Sequence, residues 1–289
     1  MKKILSITDS YNWATYFRAD NLKRSLRQYS FDIVSFRDIN KVDLNSFDIV
    51  YVTNWPIYGY IRHKISRKRK YKLVTGVSSH IGRKSASDMR GFFSIFDAIG
   101  LSNRFLVDEF SKGNFKKIVY TPFGVDRNTF YSKTDPEDFR GVYGWVGNNS
   151  RPVKRFDHIK KAFKDLGSDY TLKVVDNTAG YTREQMANFY NSIGTLICFS
   201  ESEGTPNPVL EAAMCGRPII SSNVGNVPEL MLNIKSFSPA DNAQKLVGEI
   251  RRYNSPATDL NSIGREVGEA AASDWTWKRR SRDFVKLFE

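Results

Sequence analysis

Cysteine is scarce in this sequence. Its 289 residues include only two cysteines, Cys198 and Cys215, and both stand among apolar or small residues without CxxC spacing. A disulfide framework and a cysteine-based zinc site are therefore excluded as organising features of the chain. The same scarcity predicts a reducing, cytoplasmic location.

Long apolar runs are missing as well. No stretch approaches the roughly 18 apolar residues of a membrane-spanning helix, so the sequence predicts no spanning segment. The first ten residues, MKKILSITDS, contain two lysines, but their apolar run is short and no small-residue cleavage site follows. They predict a first β-strand and not a signal peptide.

Acidic residues are too few to balance the basic ones. The chain has 44 Lys and Arg against 31 Asp and Glu, a net charge of +13, and residues 1–130 alone carry 23 basic and 11 acidic side chains. Such a field attracts polyanions, which include nucleic acid, anionic lipid head groups and phosphorylated carriers. The densest run, RHKISRKRKYK, spans residues 62–72, and a solvated loop or helix face is its alternative explanation. Its candidate acceptor contacts are Arg67, Lys68, Arg69 and Lys70.

Short apolar segments alternate with amphipathic ones along the whole chain. This alternation predicts an α/β fold with parallel, doubly wound sheets and helical crossovers. The expected strands are KKILSIT, DIVSF, FDIVYVTN, KLVTGVS, AIGLS and KKIVYTP in the first half, and VYGWVGN, YTLKVVD, GTLICFS and RPIISSN in the second.

A polar, turn-rich segment, DRNTFYSKTDPEDFR, separates the two strand series at the place where the charge balance changes. We therefore expect a first Rossmann-like domain over residues 1–125, a linker over 126–140 and a second Rossmann-like domain from residue 141 onward. Two such sheets leave a central cleft between the carboxyl ends of their strands, where doubly wound folds bind ligands.

Two helices of the second half have clear sequence signals. In FDHIKKAFKDLG the apolar residues share one helical face, and Gly167 is expected to end the helix in the left-handed conformation. In TREQMANFYNS, Thr182 and Gln185 have capping-box spacing. The apolar stripe of that second helix, Met186, Phe189 and Tyr190, is expected to serve packing alone.

The stretch ESEGTPNPVLEAAMCGRP places Glu203 and Glu211 on either side of a Gly-Thr-Pro-Asn-Pro turn. A helix is expected to begin near Asn207 or Pro208, because proline suits a first helical turn. Free backbone N–H groups of Thr205, Asn207 and Val209, together with the helix dipole, would then form an anion site suited to phosphate. Carboxylates on both sides of a diphosphate can accept hydroxyl hydrogen bonds, so the stretch predicts a nucleotide-sugar site.

The same stretch resembles the EX7E segment of the family-4 retaining glycosyltransferases, which have the GT-B fold; here it reads Glu203-GTPNPVL-Glu211. The resemblance continues through AAMCGRP and VGNVPEL. TPFGVDRNTF is similar to the family's segment at the domain junction, and LSNRFLVDEF to its helix late in the first domain. SDWTWKRRSRDFVKLFE resembles its closing helix, so the second domain is expected over residues 141–272 and a helix crossing back to the first domain over 273–289.

The resemblance implies a role for each residue of the donor site. Glu203 would contact hydroxyls of the transferred sugar and Glu211 the ribose of the nucleotide. The backbone near the diphosphate would be that of Gly204, Thr205, Pro206, Asn207, Pro208 and Val209.

The family's basic pair on the diphosphate follows a glycine, here Gly147. Lys154 matches the lysine of that pair. Asn148 stands where the family has its arginine, and Arg151 is a candidate substitute. Reaction would be a front-face displacement with retained anomeric configuration, in which Lys154 stabilises the departing nucleoside diphosphate. No DxD-type acidic cluster is present, so neither a metal nor a cofactor is expected.

Candidate residues of the first half are less sharply indicated. His80 follows a predicted strand where the family commonly has a catalytic-face histidine, although a structural histidine is the alternative. The glycine-rich turn usual after the family's first strand is absent from TDSYNWATYFRAD. Tyr11, Trp13 and Arg18 of that loop are candidate acceptor contacts, with packing as the alternative.

The leading hypothesis is a retaining glycosyltransferase that uses a UDP- or GDP-linked sugar and acts on a hydroxyl of a polyanionic acceptor. Hydroxylated bases of nucleic acid are favoured, because the basic run lacks the exposed apolar residues of a membrane-docking helix. Base extrusion would need aromatic residues such as Trp13 or Trp55 nearby. One alternative is a glycosyltransferase of polysaccharide or glycolipid synthesis, peripheral at an anionic inner membrane face. Another is a non-catalytic GT-B-like protein that binds nucleic acid or membrane.

Overall fold

The computed structural model describes residues 1–11, 14–66, 68–79, 85–176 and 180–289. The chain divides into two compact units. The first consists of Met1–Phe123 and Trp277–Glu289, and the second of Gly124–Thr276. By this division residues 126–140 lie in the second unit; the domain and linker boundaries drawn from the sequence stay predictions.

The first unit contains one sheet of six parallel strands in the order β2-β1-β3-β4-β5-β6. The strands are β1 (Lys3–Thr8), β2 (Ser30–Ser35), β3 (Ile49–Val52), β4 (Lys72–Val77), β5 (Ala98–Leu101) and β6 (Ile118–Tyr120). All six lie within or overlap the segments expected from the sequence.

Helices cover both faces of this sheet because its strands are apolar on both sides, as parallel strands usually are. One face is covered by α1 (Ala14–Ser25) and α11 (Trp277–Phe288), and the other by α2 (Ile57–Ile61), α3 (Arg90–Phe93) and α4 (Arg104–Ser111). Along β1, Ile4 packs on the first face, while Leu5 and Ile7 pack on the second. The closing helix is therefore part of the first unit.

The second unit contains four parallel strands in the order β10-β9-β7-β8. They are β7 (Val142–Gly147), β8 (Thr171–Asp176), β9 (Thr195–Cys198) and β10 (Ile219–Ser221). Its helices are α5 (Phe156–Leu166), α6 (Arg183–Tyr190), α7 (Asn207–Met214), α8 (Val227–Leu230), α9 (Ala243–Asn254) and α10 (Leu260–Asp274). The α/β class with parallel sheets is confirmed.

Of the two helix signals in the second half of the sequence, one is confirmed and the other is wrong. The capping box of α6 is present, since the Gln185 N–H donates to the Thr182 hydroxyl and the Thr182 N–H to the Gln185 carboxamide. Gly167 ends α5 with a φ of 90°, but its ψ of −166° is extended, so the expected left-handed cap is wrong. That combination is open to glycine alone.

Short 3-10 helices fill several connections, at Phe36–Lys41, Leu44–Ser46, Arg62–Lys64, Pro136–Phe139 and Pro152–Lys154. None of the helices in the described ranges is both long enough and apolar enough to cross a membrane.

Arg217, which follows α7, is a fully buried structural cation. Its guanidinium donates to the carbonyl oxygens of Cys215 (2.9 Å), Ile193 (3.2 Å) and Thr134. Burial lowers its pKa. Arg217 therefore fastens the segment that enters the second sheet to the turn between α7 and β10.

Candidate functional site

The candidate site lies where β9 leads into α7. The strand ends at Cys198, a loop follows, and α7 begins at Asn207 with Pro206 as its N-cap and Pro208 in its first turn. Proline fits these positions because the first-turn N–H groups have no partner within the helix. The expected start of this helix is confirmed.

The start of α7 presents fewer free N–H groups than expected. The Val209 N–H donates to the Pro206 carbonyl oxygen at 2.9 Å, so the expectation that it is free is wrong. The N–H groups of Thr205 and Asn207 have no acceptor among the residues that the structure describes. These two groups, with the dipole of α7, remain suited to an anion.

Glu203 and Lys154 meet in the structure. The Lys154 ammonium lies 2.5 Å from Oε1 of Glu203, and the Ser200 hydroxyl donates to the same oxygen at 2.7 Å. The side chains of the pair are mostly buried, with 14% and 13% exposed. Both bonds converge on Oε1, so one carboxylate oxygen is held by the protein and Oε2 is oriented with it.

The Lys154 loop is built by local hydrogen bonds. After β7 ends at Gly147, Oδ1 of Asn148 accepts from the backbone N–H and the hydroxyl of Ser150, at 2.9 and 2.6 Å. The short helix that contains Lys154 follows, and the Glu201 N–H donates to the Val153 carbonyl at 2.8 Å. Asn148 thus shapes a turn, and the side chain of Arg151, the candidate substitute for the family's arginine, is exposed.

Glu211 is held separately, by α6. Its Oε2 accepts the Tyr190 hydroxyl at 2.8 Å. Burial raises the pKa of Glu211 to about 7, although the Tyr190 bond and the charge of Arg183 act to lower it. The prediction that Tyr190 serves packing alone is therefore wrong, because its hydroxyl is directed at a carboxylate of the candidate site.

Arg183 connects Glu211 to the start of the second unit. Its guanidinium lies 3.6 Å from Oδ2 of Asp126 and over the ring of Phe130, with 5.4 Å from Cζ to the ring centroid. Phe130 in turn makes an edge contact with the Tyr190 ring at 6.0 Å. The GVDRNTF segment is therefore part of the environment of Glu211.

A second loop closes against the first one at residues 204–205. The Thr205 hydroxyl donates to Oδ1 of Asn226, a fully buried side chain, at 2.5 Å. Gly225 has a φ of 55°, and a Cβ atom there would overlap the carbonyl oxygen of Gly204. The glycine is required because the two backbones touch.

The described residues contain no group of three or more His, Cys, Asp or Glu side chains that could hold a metal ion. The site instead offers one ammonium group, two carboxylates and a helix start. These groups can bind a phosphate and several hydroxyls at once.

The structure separates two candidate acceptor residues of the segment after β1, since Tyr11 precedes α1 and Arg18 lies within it. Tyr11 is 51% exposed after β1 and remains accessible. Arg18 is buried, donates to the Thr53 carbonyl at 2.7 Å and lies 3.6 Å from the centre of the Phe123 ring. The prediction of Arg18 as an acceptor contact is corrected, because its guanidinium is engaged inside the first unit. Trp55 likewise packs on Phe92, with 5.4 Å between ring centroids.

The basic run lies at the opposite edge of the first sheet from Tyr11. It leads into the amino end of β4, whereas Tyr11 follows the carboxyl end of β1. The guanidinium of Arg69 is engaged within the first unit, since it donates to Asp97 at 2.9 Å and to the Ile95 carbonyl at 2.8 Å. Lys68 and Lys70 are exposed. The predicted acceptor residues therefore do not form one site.

Three predicted residues lie outside the described residues. They are Trp13, Arg67 and His80, and their roles stay predictions.

Ser200, Tyr190 and Arg183 are the site residues that sequence reasoning did not identify. Ser200 could have been found as the last residue of GTLICFS, at the carboxyl end of a strand, where doubly wound folds place ligand contacts. Tyr190 and Arg183 gave no comparable signal, because they come from a helix whose pattern indicates packing.

The second unit matches a known protein family, and the whole chain is similar to solved structures. A family model described as "Glycosyl transferases group 1" matches residues 146–254, which include Lys154, Glu203 and Glu211. Sucrose-phosphate synthase from Thermosynechococcus elongatus superposes with a TM-score of 0.79 at 12% identity, over 100% of this chain and 98% of that one. The chain has the GT-B fold.

Other GT-B structures are similar over nearly their full lengths. Anabaena HepE, solved with UDP and glucose, gives a TM-score of 0.76 at 12% identity over 99% of each chain. A Rickettsia africae glycosyltransferase gives 0.72 at 15% identity, over 99% of this chain and 97% of that one. No curated protein sequence matches this chain.

Proposed function

We propose that this protein is a retaining glycosyltransferase that transfers a sugar from a UDP- or GDP-linked donor to a hydroxyl of a polyanionic acceptor. The observation that carries the proposal is the Lys154–Glu203 pair beside the start of α7. The match of this segment to the group 1 glycosyltransferase model and the GT-B fold support it.

The donor would be held by opposite charges in different parts of the site. The diphosphate would lie at the N-terminus of α7, against the N–H groups of Thr205 and Asn207. Lys154 has three N–H donors, so it can keep its bond to Glu203 while it donates to a phosphate oxygen. Oε2 of Glu203 would accept from sugar hydroxyls, and Glu211 from the ribose.

The proposed reaction takes place on one face of the sugar. The bond between the anomeric carbon and the diphosphate oxygen breaks, and the acceptor oxygen bonds to the same face of that carbon. The acceptor proton passes to the departing diphosphate, whose charge Lys154 stabilises. The side chains thus bind and orient the donor, and no metal or organic cofactor takes part.

Hydroxylated bases of nucleic acid are the favoured acceptor. The net charge of +13, carried by residues 1–130 almost alone, supports a polyanion. Cell-surface glycan or glycolipid at an anionic membrane is the competing acceptor, and both place the enzyme in the cytoplasm.

A transfer screen tests the proposal. UDP- and GDP-sugars would be combined with hydroxymethylated duplex DNA and with vesicles of anionic glycolipid, and the anomeric configuration of any product read by NMR. Retained configuration on the DNA, lost in Glu203→Gln, is expected. Inverted configuration would refute the mechanism, and transfer to the lipid alone would refute the acceptor. If neither donor hydrolysis nor transfer occurs with any combination, the proposal that this protein is an enzyme is refuted.

A further inference from the structure

Only one of the two units has a net positive charge. The first unit has 27 basic and 12 acidic side chains, a net +15, and the second has 17 and 19, a net −2. The charge excess therefore belongs to the unit that lacks the Lys154–Glu203 pair.

Much of that charge collects at the amino edge of the first sheet, where its parallel strands begin. Lys2 and Lys3 enter β1, Lys72 is the first residue of β4, and Lys116 and Lys117 precede β6. The basic run enters the same edge through Lys68 and Lys70, and α1 ends toward it with Lys23 and Arg24 in its last turn.

The lysines of different strands are close enough to repel one another. Burial lowers the pKa of Lys72 most, followed by the charge of Lys117. Asp97 acts to raise this pKa, Lys2 lowers it further, and the effect of Glu289, which raises it, is the smallest. In the strand order β1-β3-β4-β5-β6, these three lysines stand on every second strand, at steps of about 10 Å. The edge therefore carries a row of cations about 20 Å long.

Two acidic residues at this edge have structural partners, and a third, Glu289, acts on Lys72 through its charge. Asp48 accepts the Lys3 N–H at 2.7 Å, and Asp97 accepts the Leu73 N–H and the Arg69 guanidinium, each at 2.9 Å. Lys116 lies 3.5 Å from Asp97. Lys68, Lys70, Lys72 and Lys117 form no ion pair with any described residue.

The amino edge is not the edge where a doubly wound sheet binds its substrate. Ligands of such sheets lie outside the carboxyl ends of the strands. A cation row at the opposite edge has no part in the chemistry there, so it indicates a separate binding contact.

We propose that the amino-edge surface, comprising Lys2, Lys68, Lys70, Lys72 and Lys117, binds the phosphate backbone of double-stranded nucleic acid. The inference rests on the proposed function in taking this polymer as the acceptor. The amino-edge surface would give the acceptor a second contact, away from the reacting base. Over 20 Å a duplex presents about 12 phosphates, enough to meet every lysine of the row.

The composition of the surface disfavours a membrane. Docking on lipid normally pairs cations with apolar side chains that enter the bilayer. Among the described residues of the first unit, the exposed large apolar side chains are Met1, Tyr11, Tyr60 and Phe105. Only Met1 adjoins the lysine row, since Tyr11 and Phe105 lie near carboxyl ends of strands and Tyr60 stacks on Phe36.

The test is binding of a 30-base-pair duplex to the full chain without any nucleotide-sugar. A four-lysine variant, with Lys68, Lys70, Lys72 and Lys117 changed to Gln, is expected to bind at least tenfold more weakly at about 0.1 M salt. Its plot of log K against log salt should be shallower by about 2 to 4, since each phosphate contact contributes roughly 0.9. The matched control changes four exposed lysines of the second unit, Lys161, Lys164, Lys235 and Lys245, to Gln.

Equal affinities of the wild type and the four-lysine variant, or an equal loss in the control, would overturn the proposal. Binding to phosphatidylglycerol vesicles without binding to duplex would overturn it in favour of a membrane. Thermal unfolding of the single variant Lys117→Gln distinguishes a loss of binding from a folding defect. This change relieves repulsion on Lys72, so it should raise the melting temperature slightly while the affinity for the duplex falls.

The proposal and the proposed function fail in different ways. Duplex binding that needs the four lysines, without sugar transfer, would leave the surface intact and reject the enzyme activity. Transfer to hydroxymethylated DNA with unchanged binding by the four-lysine variant would do the reverse. If both hold, the four-lysine variant should lose kcat/KM on long duplexes and keep it on a single hydroxymethylated nucleoside.

Discussion

The Lys154 ammonium lies 2.5 Å from Oε1 of Glu203, although 49 positions separate the two residues in the sequence. The strands β7 and β9 are neighbours, so the loops that follow them meet. This pair brings together a residue that the resemblance assigns to the transferred sugar and one that it assigns to the departing diphosphate.

Loss of either charge should abolish most of the transfer. Lys154→Met removes the cation that would stabilise the leaving diphosphate, and we expect kcat to fall about 100-fold or more. Glu203→Gln should also raise KM for the donor, since a charged acceptor of sugar hydroxyls becomes neutral. Initial rates of transfer measure both effects.

Glu201→Gln is the control for those variants. Glu201 is an exposed carboxylate of the same loop and makes its described contact through the backbone. Wild-type rates in Lys154→Met or Glu203→Gln, or an equal loss in Glu201→Gln, would contradict the assigned roles.

Ser200 should act as a positioning residue for Glu203. Removal of its hydroxyl in Ser200→Ala leaves Oε1 with Lys154 alone, and we expect KM for the donor to rise roughly tenfold with a smaller change in kcat. Donor titrations separate the two constants. Ser222→Ala, which removes the hydroxyl that donates to the Ser200 carbonyl, is a nearby control. A fall in kcat with an unchanged KM would show that Ser200 does not position the donor.

Donor affinity should depend on pH through Glu211. Its pKa is about 7, so the carboxylate that would accept ribose hydroxyls is half protonated at neutral pH. We expect the affinity for UDP or GDP to rise between pH 6 and 8. Tyr190→Phe removes a bond that favours the ionised form, so it should move the midpoint to higher pH. Calorimetric titrations across this range measure the midpoint, and a pH-independent affinity would contradict the assignment.

The same shift links stability to pH. The folded pKa of Glu211 lies above the unfolded value, so the folded state holds the proton more tightly between pH 4.5 and 7. The free energy of unfolding should therefore fall as pH rises through this window, by at most about 3 kcal/mol from this group. Glu211→Gln should remove this component in denaturant titrations, and an unchanged pH dependence would show that another group causes it.

Arg217 should matter for folding and not for donor contacts. Arg217→Met removes a donor from three carbonyl groups, two of them in buried contacts, so we expect the free energy of unfolding to fall by about 3 kcal/mol. Arg265→Met, at an exposed position of α10, should change it by less than about 0.5 kcal/mol. Urea denaturation compares the two, and equal effects would contradict the structural role.

The strands could be predicted from sequence because each is a short apolar run bounded by turn residues. The start of α7 could also be predicted from the sequence, since Pro206 and Pro208 suit the beginning of a helix. The partner of Glu211 could not be read, because Tyr190 lies in an apolar stripe and its hydroxyl meets the carboxylate only when α6 packs against α7. Arg18 and Arg69 were predicted as acceptor contacts for a related reason. A sequence shows that a cation is present, but it does not show the carbonyl or carboxylate to which that cation donates in the folded protein.

The acceptor residues show a further limit of sequence reading. Tyr11 and Lys70 were grouped by chemistry alone, yet the direction of each strand puts one at the carboxyl edge and the other at the amino edge of the same sheet. Strand direction is a property of topology, and no spacing within either loop reveals it.

The contact between Gly204 and Gly225 also limits how donor choice can change over time. Any side chain at Gly225 would collide with the Gly204 carbonyl, so a mutation of Gly225 can survive only after the loop of Gly204 has moved. The two loops must then diverge as a pair, and intermediates with one altered loop would be lost. A directed-evolution library for new donors should keep Gly225 fixed and vary Thr205 and Asn207.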